Sequence, residues 1–401
     1  MKVLRSRFTV AVMAFAMVGL ALQYGAVTTS SATAAHKGLP SGPIKIGALF
    51  SLSGPDAAFG VNEQAIEKYL VSNLNHHGGI DGHQVKLIAL NDQGNVTTAV
   101  SVAEELVSDK VVAVMYPGTT STNLQTTPVF MKAKIPVITY DPTDTWANGH
   151  EWPYFFDTYP LNSQSWTSMV NYMKSQGITK VALLEDDTPF ASTNVADFIA
   201  SAAKAGIVVA ASETYPATAV DVSTEVAPLI ASGAQTLVLI AQVGVQTVYA
   251  ALASAGWSPS IYGTAVGYFE GYSSLGPLAA KAYSNCGVSV ASGANLPAAI
   301  SSLVTAVGAA TGGVQPDYAS TVVNVNDDLL ILKKAITAKK SLSGPTLATY
   351  IDTIKNESFT SSAYKYTFTK SDHAGYLESG VHTCLLSPLG QLMTPVIAPG
   401  G

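Results

Sequence analysis

The sequence predicts an α/β fold of two doubly wound parallel-sheet lobes joined by a multi-crossing hinge, and three observations predict it. From Ile44 short β-rich runs alternate with amphipathic stretches, the alternation restarts after Tyr159-Pro160, and the C-terminal part turns helical before ending in a hairpin pattern. Such alternation marks parallel strands covered by helices. A chain of 401 residues also exceeds what one hydrophobic core usually organises, which favours two lobes.

In chain order, Lys2, Arg5 and Arg7 precede an uncharged apolar run from Phe8 to Leu22, and a small-residue tail ends in Ser31-Ala32-Thr33-Ala34-Ala35. This is the grammar of a secretory signal peptide over residues 1–35, cleaved after Ala34 or Ala35. The apolar run falls short of the roughly 20 residues that span a bilayer, and no Cys follows it to carry a lipid. Strands are then expected at Ile44 to Leu49, Gln84 to Asn91, Val111 to Met115 and Pro136 to Thr139. Helices are expected between them at Gly60 to Asn75, Thr97 to Ser108 and Thr122 to Lys132.

The second series places strands at Lys180 to Glu185, Val208 to Tyr215, Thr236 to Ile240 and Ser260 to Gly263. Its helices are Ser163 to Ser175, Phe190 to Ala205, Val222 to Ala231 and Val245 to Ala255. After a strand at Cys286 come helices at Ala298 to Ala310, Tyr318 to Ala338 and Pro345 to Ile354, and a hairpin of Gly380 to Leu386 with Gln391 to Ile397. The expected division is lobe 1 at 43–159 plus about 291–360, and lobe 2 at 160–290 plus about 361–401.

Removing the leader deepens the formal charge from −6 to about −9, so the surface repels nucleic acid and anionic lipid, and no partner of either kind or stable membrane insertion is expected. Cys286 and Cys384 both lie in strand-like stretches and can either bridge or stay buried as free thiols. Glu185-Asp186-Asp187 reads as a solvated loop, and His76, His77 and His83 as exposed residues around a turn, so no metal is expected. G-x-S-x-G, H-E-x-x-H, G-x-x-x-x-G-K and C-x-x-C are all absent, which argues against an enzyme; no cofactor is implied.

Ligands of parallel sheets sit beyond the carboxyl ends of the strands. The loops there are Ser51-Leu52-Ser53-Gly54-Pro55 with Phe59, the hydroxyl-rich Tyr116 to Thr122, Tyr140 to Trp146, Asp187-Thr188-Pro189-Phe190 and Gln242. Hydroxyls and N–H groups at a helix entrance bind a carboxylate without a fixed cation, or simply cap the helix.

These loops, in this order from about Ile44 to Leu389, resemble the leucine/isoleucine/valine-binding proteins of branched-chain amino acid ABC importers, which have the type I periplasmic binding protein fold. The residues that carry the resemblance are Leu52-Ser53-Gly54-Pro55, Phe59-Gly60, Gly78-Gly79-Ile80, Asn91-Asp92, Thr119-Thr120-Ser121, Pro136 to Thr143, Asp187-Thr188-Pro189-Phe190 and Ala255-Gly256. The resemblance implies that Ser53, Thr119, Thr120, Ser121 and Thr143 are polar contacts, that Phe59 and Phe190 are aromatic walls, and that Asp141 and Gln242 lie beside the ligand. It also places Ala265 where an acidic residue often holds the ligand ammonium. Phe59 and Phe190 stand where Tyr is common, and Gly94 and Thr119 where a disulfide is usual.

The function expected is an extracytoplasmic, periplasmic receptor, a monomer, that captures a small organic ligand (an amino acid or related carboxylate or amide) by hinge closure and presents it to ABC importer permease subunits. The alternative is the ligand-sensing component of a signalling system. Asp141 either pairs with a ligand ammonium or accepts hydrogen bonds.

Overall fold

The computed structural model describes residues 38–54, 56–263, 277–278, 281–287, 297–312, 319–360, 365–376, 381–386 and 392–396. The first sheet comprises β1 (Ile44–Phe50), β2 (Val85–Asn91), β3 (Ala113–Pro117), β4 (Val137–Thr139) and β5 (Phe155–Asp157), all paired in parallel in the order β2-β1-β3-β4-β5. β1 reads as a nearly unbroken apolar run because helices cover both its faces. These are α1 (Ala57–His76), α2 (Val96–Ser108) and α3 (Thr120–Ala133). Asn75 ties the end of α1 to β2 by exchanging hydrogen bonds with Val85 N–H and carbonyl at 2.7 and 2.8 Å.

The second sheet contains β6 (Lys180–Asp186), β7 (Val208–Tyr215), β8 (Thr236–Ile240), β9 (Ser260–Tyr262), β10 (Ala282–Gly287), β11 (Val381–Leu386) and β12 (Leu392–Val396). Their order is β12-β11-β10-β9-β8-β6-β7, parallel through β10 and antiparallel at the last two pairings. Helices α4 (Asn162–Ser175), α5 (Pro189–Ala205), α6 (Ser223–Ala231) and α7 (Val245–Ser254) cover it. Cys384 on β11 is disulfide-bonded.

Chain leaving β10 returns to the first lobe. Helices α8 (Ala298–Thr311), α9 (Ala319–Lys339) and α10 (Gly344–Ile351) share one core with β1, β3 and β4, in which Val323, Leu329 and Leu332 meet Ile46, Ala113 and Ile138. Where the sequence expects the chain to leave lobe 1 at about 361, Tyr366, Phe368 and Tyr376 are still in that core and Ala374 bridges to Asp157. The chain then crosses to β11. Residues 38–401 form one compact unit.

Two further differences matter for the site. β3 begins and ends two residues later than expected, which carries Tyr116 into the sheet, and the three-residue β5 escapes a pattern reading because it is too short to show alternation. Among the described residues no helix is long and apolar enough to cross a membrane.

Candidate functional site

Each sheet has one place where successive connections depart in opposite directions, between β1 and β3 in the first and between β6 and β8 in the second. Loops diverge there and open a crevice at the carboxyl ends of the strands. The two crevices face each other across a cleft that is open to solvent at its mouth. Phe59, Tyr116, Thr119, Thr120, Tyr140 and Asp141 line it from the first lobe, Phe190, Gln242 and Asn285 from the second. Ser320 and Thr321 come from the start of α9, and Tyr159 from the crossing between lobes.

The polar pole is the entrance to α3. Gly118, at φ +106°, turns the chain where a Cβ would lie 2.1 Å from Thr122 Oγ1, so only glycine fits. Thr119 follows as the helix N-cap in extended conformation. Its Oγ1 is buried without a hydrogen-bond partner, as are the Tyr116 hydroxyl and Thr143 Oγ1. Orphaned buried hydroxyls cost about 1–3 kcal/mol each, so a ligand that pairs with the two on the cleft lining, those of Thr119 and Tyr116, recovers that loss. The Thr119 carbonyl accepts from the Thr122 and Asn123 N–H groups at 2.9 and 2.7 Å, while the N–H groups that precede them at the start of α3 have no helical acceptor and add a partial positive charge.

Asp141 is tethered from three directions. Its Oδ2 accepts from Thr120 Oγ1 at 3.2 Å and from Asn123 Nδ2 at 2.8 Å, while Oδ1 accepts from Thr143 N–H at 2.9 Å. Asn123 is held in turn by Thr127. The carboxylate therefore organises the wall and still faces the cleft.

The apolar pole is a run of rings. Tyr116 stacks on Phe50 with centroids 5.4 Å apart and on Tyr140 at 6.0 Å, and Tyr140 meets Tyr159 edge-on at 6.2 Å. Behind the rings lies an acidic layer made of Glu63 and Glu67 of α1 and Asp328 of α9, all buried. Burial pushes the Glu63 carboxyl up to about 8, against the opposing pull of the Tyr140 and Thr321 hydroxyls. Burial, with charge from its neighbours, also raises Glu67 and Asp328. Burial, and after it the charge of Glu63, raise the Tyr116 and Tyr140 hydroxyls as well.

No Lys, Arg or His is among the described residues that line the cleft. None occurs in the sequence of the segments beyond residue 37 that lie outside the described residues. Any anionic group must therefore be held by N–H and O–H donors alone. Among the described residues no group of three or more His, Cys, Asp or Glu side chains is arranged to hold a metal ion.

Of the residues singled out from sequence, Phe59, Thr119, Thr120, Asp141, Phe190 and Gln242 line the cleft. Ser121 sits at its edge and donates to Gln242 Oε1 at 2.8 Å. Thr143 is buried behind Asp141. Ser53 is exposed and accepts from Asn91 Nδ2, away from the lining. Ala265 lies outside the described residues. Sequence reasoning missed Tyr116, Tyr140, Tyr159, Asn285, Ser320 and Thr321 as lining residues. Tyr116 and Tyr140 were legible as members of the loops named, each directly beside a strand end.

Comparison with known proteins agrees with this architecture. Residues 43–379 match the periplasmic binding protein family. The Leu/Ile/Val-binding protein homolog 3 of Brucella melitensis is 30% identical over 167 residues, 41% of this chain and 45% of that relative, so the match spans less than half of either protein. The periplasmic binding protein type 1 from Bordetella pertussis superposes with a TM-score of 0.75 at 22% identity, covering 86% of this chain and 96% of that one. The branched-chain amino acid transporter substrate-binding protein LivJ from Streptococcus pneumoniae, in complex with isoleucine, gives 0.72 at 21%, covering 86% and 97%. An ABC transporter solute-binding protein from Rhodopseudomonas palustris, in complex with benzoate, gives 0.73 at 17%, covering 89% and 98%. With two doubly wound lobes, facing switch points and a family match over most of its length, the chain belongs to the periplasmic binding protein family and has the type I fold of that family.

Proposed function

We propose that the chain is the extracytoplasmic receptor of an ABC importer, exported by its leader, which captures a small organic ligand by hinge closure and delivers it to permease subunits. The observation that carries this reading is the cleft itself, whose lining is contributed by both lobes and by the crossing between them. The ligand is an amino acid or a related carboxylate or amide. Its oxygens face the entrance of α3, its N–H groups face Asp141, and its apolar body lies among Phe59, Tyr116, Tyr140, Tyr159 and Phe190. The absence of a basic side chain from the described lining favours a ligand of no net negative charge, since an unpaired anion in a dry cleft costs several kcal/mol.

Mechanistically, the first lobe binds first and the second folds Phe190 and Gln242 over the ligand; closure then presents one shape to the permease. The test is a thermal-shift and native mass spectrometry panel of leucine, isoleucine, valine, benzoate and benzamide. Stabilisation by at least one zwitterionic or neutral compound, with a bound adduct, is expected. Silence across amino acids, acids and amides would overturn the reading.

A further inference from the structure

We infer that Gln242 is an interlobe latch, a positioning residue gripped at both ends of its side-chain amide by Asp56 and Ser121 of the opposite lobe, so that part of cleft closure is held by the protein alone. Gln242 Nε2 donates to both carboxylate oxygens of Asp56 at 3.1 Å, and its Oε1 accepts from Ser121 Oγ at 2.8 Å. A carboxylate only accepts, so the amide nitrogen must face Asp56 and its oxygen the hydroxyl; the pair of partners fixes the orientation. Asp56 opens α1 after β1 and Ser121 lies in the first turn of α3 after β3. One side chain from the second lobe thus engages both arms of the first lobe's switch point.

Both sides of the latch are rigid. The Gln242 and Val243 N–H groups donate to Asp186 Oδ2 at 2.6 and 2.9 Å, and the Tyr215 hydroxyl donates to the Val243 carbonyl at 2.7 Å. On the other side, a Cβ on Gly60 would lie 2.3 Å from the Ser51 carbonyl oxygen, which shows how closely the start of α1 is pressed on the loop after β1. The charged groups that act on Asp56 are Asp92 from its own lobe and Asp186 from the other, both acidic. The neutral amide is therefore the group that lets these two acidic surfaces meet. Replacing it with a carboxylate sets like charges face to face, whereas an amide at position 56 opposite that carboxylate removes the repulsion and restores one donor–acceptor pair with the roles exchanged.

The test uses ligand-stripped full chain carrying spin labels on unnatural amino acids at exposed Val96 and Val220, one on each lobe. Wild type at neutral pH is expected to show a short-distance, closed population. Gln242→Glu should lower the closed-to-open ratio by about ten-fold or more, the loss expected for a charge-assisted hydrogen bond. The double variant Asp56→Asn/Gln242→Glu should restore it. A wild type without the short distance, an unchanged distribution in Gln242→Glu, or a double variant that stays open would each overturn the latch. The readout needs no ligand, so it stands apart from the receptor reading, whose failure appears as silence across the ligand panel.

Discussion

Tyr116 and Asp141 stand next to each other in the cleft and answer to opposite accounts. The Tyr116 hydroxyl is buried and unpartnered, so the empty protein bears its desolvation without return. Tyr116→Phe is expected to leave the melting temperature of the empty protein unchanged or raised, and to weaken ligand binding by about 1 kcal/mol if the hydroxyl reaches the ligand. Thermal shift and calorimetry read the two effects separately; a marked loss of stability in the empty protein would contradict the assignment. Asp141, in contrast, accepts from Thr120, Asn123 and Thr143 at once. Asp141→Asn turns one acceptor into a donor facing donors, and should cost about 1–3 kcal/mol in denaturant unfolding with no ligand present. Unaltered stability would mean that the tether carries no energy.

Elements are where the sequence was most and least informative. The alternation of β runs and amphipathic stretches located the strands of both sheets other than β5 and the helices that cover them, because each of those helices buries one face and each central strand buries two. The rule that ligands sit beyond strand carboxyl ends then found Thr119, Thr120, Asp141, Phe190 and Gln242. It could not find Ser320, Thr321 or Asn285, since their arrival depends on where α9 packs after the chain changes lobes and on which strands β10 pairs with. Local pattern carries no record of that. Asp56 was missed because nothing local distinguishes it from an ordinary residue flanking a helix. Whether Cys286 and Cys384 pair was likewise open in sequence; in the structure Cys384 is held in a disulfide. Removing it with Cys384→Ser should destabilise the protein by about 2–5 kcal/mol. Denaturant unfolding of reduced and oxidised wild type beside the variant checks this, and equal midpoints for all three would contradict it.

At the scale of the whole molecule, the acidic layer behind the aromatic rings sets a pH dependence. Folding raises the Glu63 carboxyl from 4.5 to about 8, so the folded chain binds a proton that the unfolded chain has released. Its favourable contribution is fully present below the unfolded value and is lost as pH rises through about 8. Melting temperature should therefore fall between about pH 4.5 and 8 and level off above that, and Glu63→Gln should flatten that fall; a variant with the wild-type slope would exclude Glu63 as its source. Chain order has another consequence. The core around β1 is filled by Val323 and Leu332 of α9, and the second sheet is finished by β11 and β12. Each lobe thus waits for residues that leave the ribosome last. With contacts of such long sequence separation, neither half can complete its core until almost all of the chain has been made, a delay that would suit the export proposed above.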